Sequence, residues 1–580
     1  MTLMSLGIFL RECLRSVYEV VLKDVSVRIA GLTGQGIEFA TEVIVGACAL
    51  KGLNVYTFRW FPTIVRGGST YSEIRISDVE ISAPPDKIDV LAVLDESGVK
   101  DVDDLLLRDS IILIDESLSI PQYNCRVFRQ PLKKTSSEAK SRPNIVVVGF
   151  ISGLLGLGYN SVSIVLEKIS KKDLLESNLR GVEAGYKLFI ESGLESFDLP
   201  SLSASKSIVQ GSDMVALGAL SAGCKFFAGY PITPSTSIME KIMKWFPEVG
   251  GLAVQVEDEL SAISMIIGAS YAGARSMTAT SGPGLSLMVE GIGFAAMAEI
   301  PIVVVDVQRV GPSTGMPTAY EQGDIDLATH PSHGDVPRIV LAPSTIEEYY
   351  SMTMLAFELA DRYRCPVILL LDQVYVMNYF TLDKLEASRT SGRKNVSSVG
   401  GGLLQVFPSY SGSADGIPSP PLDGFLVVAS SVEHDVKGLG TQDGKIHVEM
   451  SIKRLRKLGE LEESPVGWEV LGDAEACEAV VSIGSCRGAV EEALEKIRKS
   501  SRMMLHIPLK QLWPLPRMLE ETLKNVEKIY VIEQNASGQL LNLVSSKLPK
   551  TAELRSIRKF DGCPFRPVEI YRGLVYDGGG

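Results

Sequence analysis

A chain of 580 residues is longer than one hydrophobic core supports, so three or four domains are expected. Its 45 % apolar and 22 % charged residues belong to an ordinary soluble globular class, and a net charge of −13 argues against nucleic acid or an anionic membrane surface as the main partner. The cysteines (Cys13, Cys48, Cys125, Cys224, Cys365, Cys477, Cys486 and Cys563) are dispersed, with no CxxC, no Cys/His pair at zinc spacing and no cluster suited to iron–sulfur ligation. Such thiols fit a reducing cytoplasm.

The apolar N-terminal stretch is interrupted by Arg11, Glu12, Arg15 and Glu19, and no small-residue cleavage site follows. An amphipathic helix is expected there rather than a signal peptide or membrane span. The first block, residues 1–195, then alternates strand-like runs (Val25–Ala30, Leu53–Trp60, Glu73–Ile76, Asp89–Asp95, Ser110–Asp115, Cys125–Arg129) with helix-like stretches. Gly31, Gly34 and Gly36 sit between the strand Val25–Ala30 and the helix-like 37–50. Glycines at such a turn let backbone amides approach an anion at the helix's positive end, or serve only tight packing. The spacing is not GxGxxG, and no Lys follows as in a P-loop. Arg66, beside Gly67 and Gly68, reads either as an anion ligand or as an exposed hairpin residue.

A Ser-rich linker at 196–207 leads into a second block, 208–385, with strands at Cys224–Ala228, Leu252–Val256, Ser276–Thr280, Ile302–Val307, Arg338–Leu341 and Pro366–Leu371. Tyr230-Pro231-Ile232-Thr233-Pro234 follows the first of these. Thr233 reads as an N-cap, with Pro234 at the first helical position and Ile238, Met239, Ile242, Met243 and Phe246 supplying an apolar face. Glu257-Asp258-Glu259 ends the next strand and opens a helix, where acidic residues favour the macrodipole; alternatively Glu259, next to the apolar run, is a reactive carboxyl. Thr280, Ser281, Gly282 and Gly284 close the third strand, where small residues leave room for a flat ligand or simply form a turn. A polar connector, 386–465, includes a Gly- and Ser-rich arm over 386–424. His434, within this connector, reads as a surface residue at a turn. The last block, 466–580, shows strands at Ala479–Ile483, Met503–Ile507 and Lys528–Ile532, apolar enough to be buried on both faces of a parallel sheet.

Together these segments resemble the 2-oxoacid:ferredoxin oxidoreductase family, in the order of a gamma subunit fused to an alpha subunit, over nearly the whole chain. The resemblance implies an α/β fold: a gamma-type domain, a doubly wound thiamine-enzyme pyrimidine-type domain and a transketolase C-terminal-like domain. It also implies an oxidative decarboxylation of a 2-oxoacid to an acyl-CoA, with electrons passed to ferredoxin. By the same resemblance, Glu259 activates thiamine diphosphate, Thr233 contacts substrate, and Tyr230, Pro231, Ile232, Thr280, Ser281, Gly282 and Gly284 shape the pyrimidine pocket. Many relatives carry a basic residue after Pro317-Thr318 to hold the substrate carboxylate. Ala319-Tyr320 stands here instead, which shifts that task to Thr233, Arg309 or a partner.

The chain has no Gly-Asp-Gly diphosphate motif and no cysteine cluster. The resemblance assigns both, with Mg²⁺ and a 4Fe–4S cluster, to a separate beta subunit, and makes coenzyme A a substrate that the gamma-type domain contacts. Three other readings remain open at this level. They are an indolepyruvate-type or other thiamine enzyme subunit, a non-catalytic homologue, and a dehydrogenase binding a nucleotide at Gly31, Gly34 and Gly36.

Overall fold

Runs of Val, Ile and Leu bounded by glycines and polar turns organise three α/β layers. A computed structural model describes residues 23–62, 68–202, 204–385, 405–406, 425–426 and 428–576. Arg66, Gly67 and most of the 386–424 arm lie outside the described residues. The strands expected in all three blocks are present, several of them longer than the apolar runs that announced them.

The first sheet has eight strands. Asp24–Leu32 at its centre runs parallel to Ile88–Val93 and antiparallel to Ser69–Ser77. Strand alternation gives this sheet two unlike faces. Val25, Val27, Ile29, Ile74 and Ile76 pack under the helices Ile37–Leu50 and Pro143–Leu154. The opposite face carries Arg28, Glu73 and Arg75, all buried against the C-terminal block. There Arg566 Nη2 donates to both Glu73 oxygens at 2.8 and 3.0 Å, and Arg28 donates to the same carboxylate. Burial opposes ionisation of Glu73, yet the two guanidiniums outweigh it and hold the carboxyl down at about 2.

The sheet does not respect the boundaries at 195 and 208. Ser207–Val209, which composition assigned to the linker edge, pairs with Phe380–Leu382 of the second block, and that strand in turn pairs with Asn54–Trp60. Three-residue strands have too little periodicity to be read from sequence; their pairing is set by contacts across more than a hundred positions.

The middle sheet is seven-stranded, with parallel strands Ile339–Leu341, Val367–Asp372, Val303–Gln308, Ser276–Thr280, Phe226–Gly229 and Leu252–Gln255 in spatial order. Its remaining edge strand, Gln511–Trp513, comes from the C-terminal block and pairs antiparallel with Ile339–Leu341. The third sheet has five strands centred on Glu478–Ser482. The connector is anchored rather than loose beyond residue 428. Lys453 donates to Glu299 at 2.6 Å, Lys457 donates to the same carboxylate, and Arg454 grips Glu433 with two bonds. His434, expected at the surface, is fully buried in this connector, its Nδ1 3.0 Å from the Val432 carbonyl oxygen.

No helix among the described residues is long and apolar enough to cross a membrane.

Candidate active site

Parallel strands of the middle sheet all end on one side, and that side collects the polar and glycine-rich turns. Val256 N donates to the Gly229 carbonyl oxygen at 3.1 Å, joining the turn after Phe226–Gly229 to the turn after Leu252–Gln255. The helix Glu259–Tyr271 is capped by Asp258, whose carboxylate accepts from Ser261 N at 2.7 Å. The acidic triplet therefore divides its labour. Asp258 satisfies the helix start, while Glu259, the first helical residue, is 6 % exposed with its carboxyl turned inward.

That carboxyl meets the third turn. A Cβ built on Gly284 would lie 2.0 Å from Thr280 Oγ1 and 2.6 Å from Glu259 Oε1, so only glycine fits there without displacing one of them. Ser281 precedes the helix Gly282–Met297 as its N-cap, yet its hydroxyl is buried with no hydrogen-bond partner. A Cβ on Gly282 would likewise come within 2.5 Å of Asp324. Glu259, Thr280, Ser281, Gly282 and Gly284 are thus gathered in one small region. A cradle that a methyl group would fill, beside an orphaned hydroxyl and a buried carboxyl, fits a flat heterocycle with hydrogen-bonding edges.

Thr233 differs from expectation. The helix begins at Thr236, with Ser235 at the cap position, and Thr233 lies ahead of it in the turn. The cause is local: Thr236 N and Ser235 Oγ both donate to the Ile232 carbonyl oxygen, closing one extra turn before the helix proper. Relieved of capping, Thr233 is half-buried, and its carbonyl oxygen accepts from Arg309 Nη1 at 2.5 Å. Tyr230 is 40 % exposed, and Pro231 and Ile232 are half-buried beside it. Arg309 follows the strand Val303–Gln308 and borders a cavity of about 690 Å³ shared by Gly282, Pro283, Asp324 and Asn535.

Ala319 and Tyr320 are each 2 % exposed. Tyr320 N donates to the Gly562 carbonyl oxygen at 3.0 Å, and its hydroxyl lies 2.8 Å from both Asp372 Oδ2 and Ser485 Oγ. Asp372 also accepts from Gln322, Gln308 and the Ser485 amide. This knot joins the second and third blocks, and Thr318 adds the first by donating to the Phe61 carbonyl oxygen. Sequence reasoning missed Asp372 as a hub. It also passed over Asp306, an acid ending an apolar strand run, although that placement was visible.

The Gly31, Gly34 and Gly36 turn is a separate place. Gly34 and Gly36 have φ of 96° and 76°, Gln35 Oε1 accepts from Leu32 N, and Thr33 N donates to the Gly68 carbonyl oxygen. A cavity of about 430 Å³ beside it is lined by residues of the first block alone, among them Gln35, Lys133, Arg142 and Asn144.

Three family descriptions match the chain. Pyruvate flavodoxin/ferredoxin oxidoreductase, thiamine diphosphate-binding, matches residues 217–395; pyruvate ferredoxin/flavodoxin oxidoreductase matches 26–188; pyruvate:ferredoxin oxidoreductase core domain II matches 476–570. The 2-oxoglutarate synthase subunit KorA of Methanothermobacter marburgensis is 38 % identical over 63 % of this chain and 98 % of its own length. The alpha subunit of 2-oxoacid:ferredoxin oxidoreductase 2 from Aeropyrum pernix is 30 % identical over 94 % of this chain and 96 % of its own. Among solved structures, the 2-oxoglutarate:ferredoxin oxidoreductase of Magnetococcus marinus superposes with a TM-score of 0.87 at 31 % identity, covering 96 % of this chain and 99 % of that one. The chain belongs to the 2-oxoacid:ferredoxin oxidoreductase family, as an alpha subunit with a gamma-like N-terminal region fused to it.

Proposed function

We propose that this chain forms the pyrimidine-side wall of a thiamine diphosphate site, and that the assembled enzyme converts a 2-oxoacid and coenzyme A to an acyl-CoA and carbon dioxide. The observation that carries the reading is the meeting of Glu259, Thr280 and Gly284 at the carboxyl-end side of the sheet, packed so closely that a single methyl group on Gly284 would displace the Glu259 carboxyl or the Thr280 hydroxyl. When bound, thiamine diphosphate supplies a nucleophilic carbon and a sink for the electron pair left by decarboxylation. Glu259 holds the proton exchanged with the aminopyrimidine ring, from a buried position that excludes competing water. Tyr230, Pro231, Ile232, Ser281 and Gly282 wall the ring, and Thr233 and Arg309 receive the substrate carboxylate.

A separate beta subunit completes the site with the diphosphate-binding motif, Mg²⁺ and a 4Fe–4S cluster, from which electrons leave singly to ferredoxin. The gamma-like region contributes to coenzyme A binding. The name of the KorA relative, and the 2-oxoglutarate, coenzyme A and succinyl-CoA bound to the Magnetococcus marinus enzyme, favour 2-oxoglutarate as the first substrate to test.

Glu259→Gln in the assembled enzyme is expected to lower turnover by about a hundredfold to ten-thousandfold while leaving assembly intact. Near-normal turnover in that variant would sink the assignment. Gly284→Ala is expected to lower kcat by roughly a hundredfold, since its methyl group displaces the Glu259 carboxyl. Steady-state kinetics beside size-exclusion chromatography separates this from a loss of subunit association.

A further inference from the structure

The first block holds a cavity of about 430 Å³ that the catalytic site does not use. It lies where three parallel neighbours end, Asp24–Leu32, Ile88–Val93 and Leu106–Asp115, the side of an open α/β sheet on which ligands bind. Gly34, Leu94 and Asp115 reach it from those strand ends, and Lys133, Arg142 and Asn144 complete the wall. Two long helices begin beside it, Ile37–Leu50 after Gly36 and Pro143–Leu154 after Arg142, and neither start is capped by a side chain. Asn144 Nδ2 donates to the Gly36 carbonyl oxygen at 3.0 Å and ties the two starts together. A Cβ on Gly36 would lie 2.5 Å from that nitrogen, so glycine keeps the amide in place.

Asn144 is itself the sign of a ligand. It is 4 % exposed and lines the cavity, yet the bond to Gly36 is the one hydrogen bond its side chain makes among the described residues. Its Oδ1 and its second amide hydrogen are left for an occupant of the cavity. The three charged residues of the wall sum to one positive charge. Asp115 is already engaged, accepting from Ser117 N at 3.0 Å, from Ser117 Oγ and from Lys133 N at 2.7 Å. Lys133 Nζ donates to Ser117 Oγ at 3.0 Å and stands 4.0 Å from an Asp115 oxygen. The Arg142 guanidinium is exposed and has no hydrogen bond or ion pair with any described residue. A free guanidinium beside two helix starts favours a phosphate group.

A phosphate alone would not use the whole cavity. The volume exceeds that of an anion, the buried side chains of Leu94 and Leu132 offer an apolar wall to a ring, and Asn144 Oδ1 asks for a donor. We propose that this cavity binds a nucleoside phosphate, with its phosphate at Arg142 and the two helix starts and its nucleoside against Leu94, Leu132 and the Asn144 amide. Two sources present that chemistry. Coenzyme A ends in a phosphorylated adenosine, and in that case the inference deepens, and rests on, the coenzyme A role given above to the gamma-like region. A free adenine nucleotide such as ADP presents the same groups. No residue is shared between this wall and that of the cavity at Arg309, so the nucleotide is held at a distance from the reacting atoms.

The test is calorimetric titration of the assembled enzyme with ADP, with adenosine 3′,5′-bisphosphate and with inorganic phosphate, beside KM for coenzyme A. Arg142→Ala is expected to weaken nucleotide binding about tenfold, and Arg142→Lys to recover most of the loss. Inorganic phosphate is expected to bind at least about tenfold more weakly than the nucleotides, since it leaves the apolar wall empty. Because the Arg142 side chain touches no described partner, the unfolding midpoint of Arg142→Ala should match that of the unsubstituted chain. A KM for coenzyme A that rises about tenfold in Arg142→Ala identifies the occupant as the head of coenzyme A. Weakened ADP binding with an unchanged KM identifies it as a free nucleotide, and the coenzyme A role of the gamma-like region then fails while the site stands. The proposal is overturned if Arg142→Ala alters neither nucleotide binding nor KM for coenzyme A, or if inorganic phosphate binds as tightly as the nucleotides.

Discussion

Glu299 and Asp306 stand close together in the chain, on either side of a strand start, and both are completely buried. Their chemistry is opposite. Burial opposes ionisation of Glu299, but Lys457, Lys453 and Arg364 outweigh it and hold the carboxyl down at about 2. Asp306 has only Arg309 to offset burial and the added repulsion of Asp324, so its carboxyl rises well above the ordinary range. Burial alone therefore says little about what an acid does. The number and sign of its neighbours decide whether it clamps structure or tunes a site.

The sharpest way to break this comparison is to neutralise each acid in turn. Glu299→Gln strands two buried lysines that the connector helix Gly444–Arg456 and its C-cap Lys457 press onto it, and is expected to cost about 3–5 kcal/mol of stability in denaturant unfolding. A loss under about 1 kcal/mol would mean the clamp is not structural. Next in size is the acid limb of the stability profile. The folded-state pKa of Glu299 is depressed, so its contribution is present above the ordinary glutamate value and is lost as pH falls towards about 2, a loss on the order of 3 kcal/mol. Thermal unfolding across that range should show a shallower acid decline in Glu299→Gln. The smallest expected effect is that of Asp306→Asn, within about 1 kcal/mol in either direction, because the amide matches the carboxyl in size and carries no charge to bury. A large destabilisation would place Asp306 with the clamps.

Much of the site was readable from the sequence because its parts are local. Thr280 ends a short strand run, and Glu259 and Gly284 stand in the first turns of the helices that follow two such runs, so the acid or glycine at that place is itself the signal. Thr233 was misread as a cap because the choice between it and Ser235 depends on one turn of backbone geometry around Ile232. The Tyr320 knot was invisible for a different reason. Asp372, Ser485 and Gly562 are far away in sequence, and nothing near Tyr320 distinguishes a buried hydroxyl from an exposed one. Asp306 and Asp324 could be seen as residues but not as a pair, since their shared neighbourhood exists only after the loop folds back over Gly282.

The strand Gln511–Trp513 has a consequence for how this chain is made. It closes one edge of the middle sheet from the far side of the connector. On the ribosome, the strand Ile339–Leu341 emerges long before the strand that will cover it, and a nascent chain stalled between them carries an open sheet edge. A gene fragment ending at the connector would produce that same exposed edge permanently. Any attempt to split this polypeptide into separately expressed pieces should therefore leave Gln511–Trp513 with the middle sheet, even though most of its neighbours in sequence belong elsewhere.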